Sequence, residues 1–169
     1  MAEIYWVDAT LGCRVAILAR PRGGPWLADE ARELKANGVD IVVSLLTPGE
    51  ERELGLEGEK DAMEAQGMRF FSFPIEDCGT PASMSGAQAL IGELLKELKS
   101  GKAMGFHCRA SIGRSPMIAA AVLAASGIPA DHALMALSEA RGWRVPETDD
   151  QRRWIDKFLE SLKSGKRTS

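Results

Sequence analysis

The chain is poor in the residues that metals and disulfides need. Its 169 residues hold only two histidines and three cysteines, with no Cys-x-x-Cys pair. No clustered ligand pattern results, so neither a metal nor any other cofactor is expected. An odd, low cysteine count suits a reducing compartment better than a disulfide framework, which predicts a cytoplasmic protein. Long apolar runs are lacking too: the longest, Met117–Ala125, falls far short of the roughly 20 residues that cross a bilayer. The opening Met-Ala-Glu-Ile-Tyr-Trp-Val-Asp has no basic region followed by an apolar stretch, which excludes a secretory leader there. No charge sign dominates: 21 basic and 24 acidic side chains give a net charge of −3, without overall attraction to nucleic acid or an anionic membrane. No repeat is evident and no pattern sets an oligomeric state. An apolar fraction of 45% excludes disorder and predicts one packed domain over residues 1–163, with residues 164–169 as a frayed basic tail.

What the chain does have is concentrated in His107–Ser115, His-Cys-Arg-Ala-Ser-Ile-Gly-Arg-Ser. An apolar strand pattern, Ala103–Phe106, precedes it, and an apolar helix pattern, Pro116–Ser126, follows, with Pro116 suited to a first helical turn. The loop therefore lies at a helix N-terminus, where unpaired N–H groups and the helix dipole attract anions. Residues 108–113 (Cys108, Arg109, Ala110, Ser111, Ile112 and Gly113) can wrap backbone N–H groups around a phosphate, and Arg114 adds a planar fork for two of its oxygens. The same field stabilises a thiolate at Cys108 and makes it a candidate nucleophile. The alternative is a small buried cysteine at a strand end, against which His-Cys, five residues, Arg-Ser between strand and helix is a specific constellation.

In order along the chain, Ile4–Val7 and Arg14–Leu18 predict short strands around a turn at Thr10-Leu11-Gly12, and Leu27–Ala36 a helix ended by Asn37-Gly38. Ile41–Leu46 predicts a buried parallel strand. Residues 48–66 are charged, helix-prone and broken near Gly55 and Gly58; their acidic run reads as a solvated surface. Arg69–Phe73 predicts a strand packing Phe70, Phe71 and Phe73 inward. Leu90, Ile91, Leu94, Leu95 and Leu98 mark one face of a helix, and helices are expected over 129–140 and 150–162, the last burying Trp154, Ile155, Phe158, Leu159 and Leu162. Strands interleaved with helices predict an α/β fold: a three-layer αβα domain around a central, mostly parallel sheet.

Releasing a phosphoryl group from an alcohol or phenol needs a proton for the leaving oxygen. Asp77, on the proline-bounded loop Pro74-Ile75-Glu76-Asp77-Cys78-Gly79-Thr80-Pro81 after the Arg69–Phe73 strand, is the best candidate, with Glu76 its competitor. Mere capping of the turn is the plain alternative for Asp77.

The two loops resemble those of the cysteine-dependent protein phosphatases, tyrosine and dual-specificity, whose signature is His-Cys-x5-Arg-Ser/Thr. The Pro74–Pro81 loop is similar to the general-acid loop of the dual-specificity branch, especially the cyclin-dependent-kinase-associated group, and the similarity runs from about Gly12 to Gln151. The resemblance implies a cysteine-phosphatase fold and a metal-independent phosphomonoesterase acting on a phosphorylated protein or another phosphomonoester. It implies Cys108 as nucleophile through a phosphocysteine, Asp77 as acid and then base, and a Ser115 hydroxyl that eases thiolate departure. By the same resemblance His107 bonds the loop backbone and orients Cys108, and Gln151 faces the pocket to position water, although Gln151 and Thr148 equally suit the start of the last helix. Many relatives carry glycine where this chain has Ser111, which implies either an ordinary φ there or local strain.

Three other readings compete. A phosphoinositide or inositol-phosphate phosphatase would use Arg109 as an extra cation, but Ile112 stands where such enzymes often carry lysine. A non-catalytic phosphate-binding module needs neither nucleophile nor acid, and a rhodanese-like sulfurtransferase fits the paired loops less well. Cys78, beside Asp77, is a thiol that could capture an oxidised Cys108; Cys13 is a poorer partner.

Overall fold

The computed structural model describes residues 1–7 and 12–167, so Thr10 and Leu11 of the expected first turn lie outside the described residues. Five strands form one sheet: β1 (Ile4–Trp6), β2 (Val15–Leu18), β3 (Ile41–Ser44), β4 (Arg69–Ser72) and β5 (Met104–His107). Their order is β1-β2-β5-β3-β4, with β1 antiparallel to β2 and every other pair parallel. The helices are α1 (Leu27–Ala36), α2 (Pro48–Leu54), α3 (Glu59–Ala65), α4 (Met84–Lys99), α5 (Arg114–Ala125), α6 (Ala130–Arg141) and α7 (Asp149–Arg167). Among the described residues no helix is long and apolar enough to cross a membrane.

Strand alternation divides the core in two, as a parallel sheet covered on both faces requires. Val15, Ile17, Ile41, Val43, Met104 and Phe106 point to the face covered by α4, α5, α6 and α7. Ala16, Leu18 and Val42 point to the opposite face, against Leu27, Ala31 and Leu34 of α1 and Met63 of α3. Central β5 carries glycine where it would meet Leu18: a Cβ on Gly105 would lie 2.6 Å from that side chain. Helix α5 is buried from Arg114 through Leu123, which explains why its sequence is apolar on every side.

Three expectations change on the structure. Phe70, Phe71 and Phe73 are all only half-buried, because β4 is an edge strand, and Arg69 lies 4.8 Å over the Phe71 ring. Leu159 and Leu162 are likewise only partly buried. Residues 164–167, read as frayed tail, continue α7, where Lys163 and Lys166 suit the negative end of the helix dipole.

Parallel pairing brings the C-terminal ends of β3, β4 and β5 to one edge. Ser44 stands opposite both Ser72 and His107. Beyond the strands the backbones stay tied: Leu45 N–H donates to His107 O at 3.1 Å and Ile75 N–H to Leu45 O at 3.1 Å. The segments leading to α2, to Asp77 and to Cys108 therefore emerge side by side.

Candidate active site

Arg114 is the hub of this edge. It opens α5, two residues earlier than the proline implied, and is 1% exposed. Nη1 donates to Ile75 O at 2.7 Å and to Glu50 Oε2 at 2.8 Å; Nη2 donates to Glu50 Oε1 at 2.9 Å and to Asp77 Oδ1 at 3.1 Å. Burial works against the charge, and the Glu50 hydrogen bonds with neighbouring Cys108, Glu50 and Asp77 outweigh it, so the pKa lies above the ordinary value. A bidentate carboxylate on one side fixes the plane of the guanidinium, as a phosphate clamp requires.

Glu50 was not among the residues read from the sequence, and the reading of 48–66 as a solvated acidic face needs correction. Glu50 closes a capping box with Thr47 at the start of α2, accepting from Thr47 N–H at 2.9 Å, which aims its carboxylate at Arg114. The Arg114 hydrogen bond, opposed by burial and helped by Thr47 N–H, brings its carboxyl from 4.5 down to about 2. A depressed folded-state pKa contributes stability that is present above pH 4.5 and lost as pH falls towards about 2. The stability difference between wild type and Glu50→Gln, measured by denaturant unfolding, is therefore expected to narrow across that window.

Cys108 is 3% exposed, and its Sγ lies 3.4 Å from Ser115 Oγ. The loop between Cys108 and Arg114 is held from outside by Arg141, which donates to Ser111 O at 3.2 Å and Ala110 O at 3.4 Å and stacks 4.7 Å over Tyr5. Ser111 resolves its alternatives towards strain: φ is +57° in the left-handed region, and the buried hydroxyl donates to Leu18 O at 2.6 Å. Glycine loses that bond but tolerates the backbone, whereas alanine loses the bond and keeps the strain. Ser111→Ala is expected to be less stable than Ser111→Gly by about 1 kcal/mol in equilibrium unfolding.

Gln151 joins both loops. It exchanges hydrogen bonds with Thr148, N–H to Oγ1 at 3.1 Å and Oε1 from N–H at 3.3 Å, so Thr148 caps α7 and Gln151 completes the cap. Its Nε2 also donates to Gly79 O at 3.1 Å, and a Cβ on Gly113 would lie 3.0 Å from that nitrogen. Gln151 is fully buried, its amide engaged by Thr148 and Gly79, and Gly113 is required by its closeness to Gln151 and Glu147.

Asp77 is 60% exposed and reaches Arg114, while Glu76 forms no side-chain hydrogen bond or ion pair among the described contacts. Cys78, at φ +60°, donates its thiol proton to Glu147 Oε1 at 2.8 Å. That bond, then burial and the charges of Glu147 and Asp77, push its pKa up to about 11. A thiol held protonated by Glu147 is a slow nucleophile towards an oxidised Cys108; ligand atoms of Asp77, Cys78 and Glu147, all exposed, lie within 4.8 Å of one another.

His107 is fully buried; its Nε2 lies 2.6 Å from Glu59 Oε1, and its Nδ1 has no partner. The expected bond to loop backbone is absent among the described contacts. Arg109 binds Glu53 through both terminal nitrogens, at 2.7 and 3.2 Å, and that pairing raises its pKa. Both partners of this pair are exposed, so Glu53 holds the guanidinium only weakly.

The family model described as "Tc-R-P: Polymorphic toxin system, DSP-PTPase phosphatase" matches residues 17–128. The chain is 27% identical over 135 residues to cyclin-dependent kinase inhibitor 3 of Rattus norvegicus, covering 79% of this chain and 63% of that protein. It thus spans less than two thirds of that relative's length. The crystal structure of kinase associated phosphatase (KAP), with its catalytic-site cysteine replaced by serine, superposes with a TM-score of 0.84 at 23% identity, covering 95% of this chain and 96% of that one. The active form of Tk-PTP superposes with a TM-score of 0.74 at 26% identity, covering 93% and 96%.

Proposed function

The chain belongs to the DSP-PTPase phosphatase family, and from that premise we propose that it is a metal-independent protein tyrosine/dual-specificity phosphatase working through a phosphocysteine. The observation that carries the proposal is the convergence on buried Arg114 of Asp77, 37 residues upstream, while Cys108 and Ser115 stand together at the same helix start. Pure phosphate binding needs no such pairing of nucleophile and acid.

In this reading Cys108 Sγ attacks phosphorus, and the leaving oxygen takes a proton from Asp77. Arg114 and the backbone N–H groups of residues 109–114 hold the equatorial oxygens, the guanidinium already turned by Glu50. Ser115 Oγ, 3.4 Å from Sγ, donates to the thiolate as the S–P bond breaks. Water, positioned by Gln151 and deprotonated by Asp77, releases phosphate. Asp77 must leave Arg114 to do this, and its 60% exposure allows the movement. The substrate is a phosphorylated protein, and a catalytic thiol suits the reducing cytoplasm.

Turnover of an aryl phosphate in excess chelator tests the activity: steady release supports it, and release that needs added divalent metal contradicts it. Asp77→Asn is expected to lower kcat by about a hundredfold or more with an alkyl-like leaving group, and by much less with a nitrophenolate that needs little protonation. If Glu76→Gln shows that leaving-group dependence and Asp77→Asn does not, Glu76 is the acid.

A further inference from the structure

Cys78 follows Asp77 directly and plays no part in the mechanism above. It takes φ +60°, a left-handed backbone that glycine adopts freely and a residue with a Cβ adopts only against steric resistance. Such strain persists where the surroundings hold it, and here the side chain is what they hold. The thiol donates to Glu147 Oε1 at 2.8 Å, across 69 residues of chain. Glu147 in turn rests against the phosphate loop, for a Cβ on Gly113 would lie 3.0 Å from its carboxyl carbon. One side chain thus lies against both loops of the site.

The rest of the acid loop is tied on either side of the acid. Ile75 N–H donates to Leu45 O at 3.1 Å, and Ile75 O accepts from Arg114 Nη1 at 2.7 Å. Beyond Cys78, Gly79 O accepts from Gln151 Nε2 at 3.1 Å. Asp77 itself has to swing from Arg114 to the substrate, so its own bond to the guanidinium does not hold the loop during reaction. The contact from Cys78 to Glu147 is therefore the tie nearest the acid that leaves its carboxylate free. It also persists at neutral pH, because the Glu147 hydrogen bond, ahead of burial and nearby charge, keeps the proton on sulfur.

We propose that Cys78 and Glu147 form a latch holding the acid loop against the phosphate loop, which makes both of them positioning residues for Asp77. This rests on the phosphatase reading with Asp77 as the acid. With the latch closed, only the Asp77 side chain has to rotate, and the backbone that carries it keeps its distance from the phosphate cradle. With the latch removed, the loop samples open positions in which the acid is out of reach. The step that needs its proton slows, while the grip of Arg114 and the loop N–H groups on phosphate is unchanged.

Glycine at position 78 relieves the backbone strain as it removes the thiol, so Cys78→Gly tests the latch without straining the fold. Its kcat is expected to fall about fivefold with an alkyl-like leaving group and to stay within about twofold of wild type with a nitrophenolate, KM changing by less than about twofold. Glu147→Ala is expected to give the same pattern, and the double variant to lose no more than either single change. Cys78→Ser, whose hydroxyl still donates to Glu147, is expected to recover most of the wild-type rate. Wild-type rates in both single variants with the alkyl-like leaving group, or equal losses with both leaving groups, overturn the proposal. A further readout needs no turnover. In Glu147→Ala the Cys78 thiol loses its acceptor, and its alkylation by iodoacetamide at neutral pH, followed by peptide mapping, is expected to quicken at least about threefold. A rate within about 1.5-fold of wild type overturns the latch. An inactive wild type that still shows the quickening counts against the phosphatase reading alone.

Discussion

Arg114→Lys lowers kcat by at least about a hundredfold although the charge is kept. An ammonium is a point charge with no planar fork, and the buried site has been built for the fork: Glu50 takes one oxygen on each terminal nitrogen, and Ile75 O takes a further N–H at 2.7 Å. Lysine satisfies at most part of this set, so Glu50 and the carbonyl are left short of donors in a place with little water. The substitution therefore removes the grip on the equatorial oxygens and loosens α2 against the loop. Steady-state kinetics on an aryl phosphate check the effect, with a loss under about tenfold refuting the clamp.

Cys108→Ser has a larger effect, a fall of at least about 10⁴-fold in kcat. A hydroxyl in the same position stays protonated at neutral pH, because the helix-end field that favours a thiolate falls far short of ionising an alcohol. Binding is spared: the backbone N–H groups and Arg114 are unchanged, so phosphate or a phosphopeptide still binds, as titration calorimetry would register. Activity that survives at more than about a few per cent places the nucleophile elsewhere.

How far the sequence carries the account depends on the kind of residue. The loop from His107 to Ser115 is legible because a nucleophile, an anion-binding turn and a guanidinium need fixed spacing, and the flanking apolar patterns place it between strand and helix. Asp77 is legible for a related reason: a proline-bounded loop after a parallel strand opens at the same sheet edge. Glu50 and Glu59 are not, since a buried carboxylate is written like a solvated one until its partner is known. For Glu50 one signal was present, the Thr47-Pro48-Gly49-Glu50 capping pattern directly after β3, which sets its carboxylate at the sheet edge where Cys108 emerges. Glu59 follows Gly58 with no cap and had no such signal. Ser111 shows the limit on the backbone side: its residue type fits an ordinary φ, and only the bond to Leu18 O explains how a left-handed serine is held.

The central claim is that phosphate passes through sulfur. Acid quenching of wild type within the first turnover of an aryl phosphate, followed by peptide mapping at low pH, tests it most directly. A phosphoryl group on Cys108, appearing before free phosphate and decaying as phosphate is released, is the predicted result. Release of phosphate with no phosphoryl group on Cys108 at any time point, or with the group on another side chain, would contradict it.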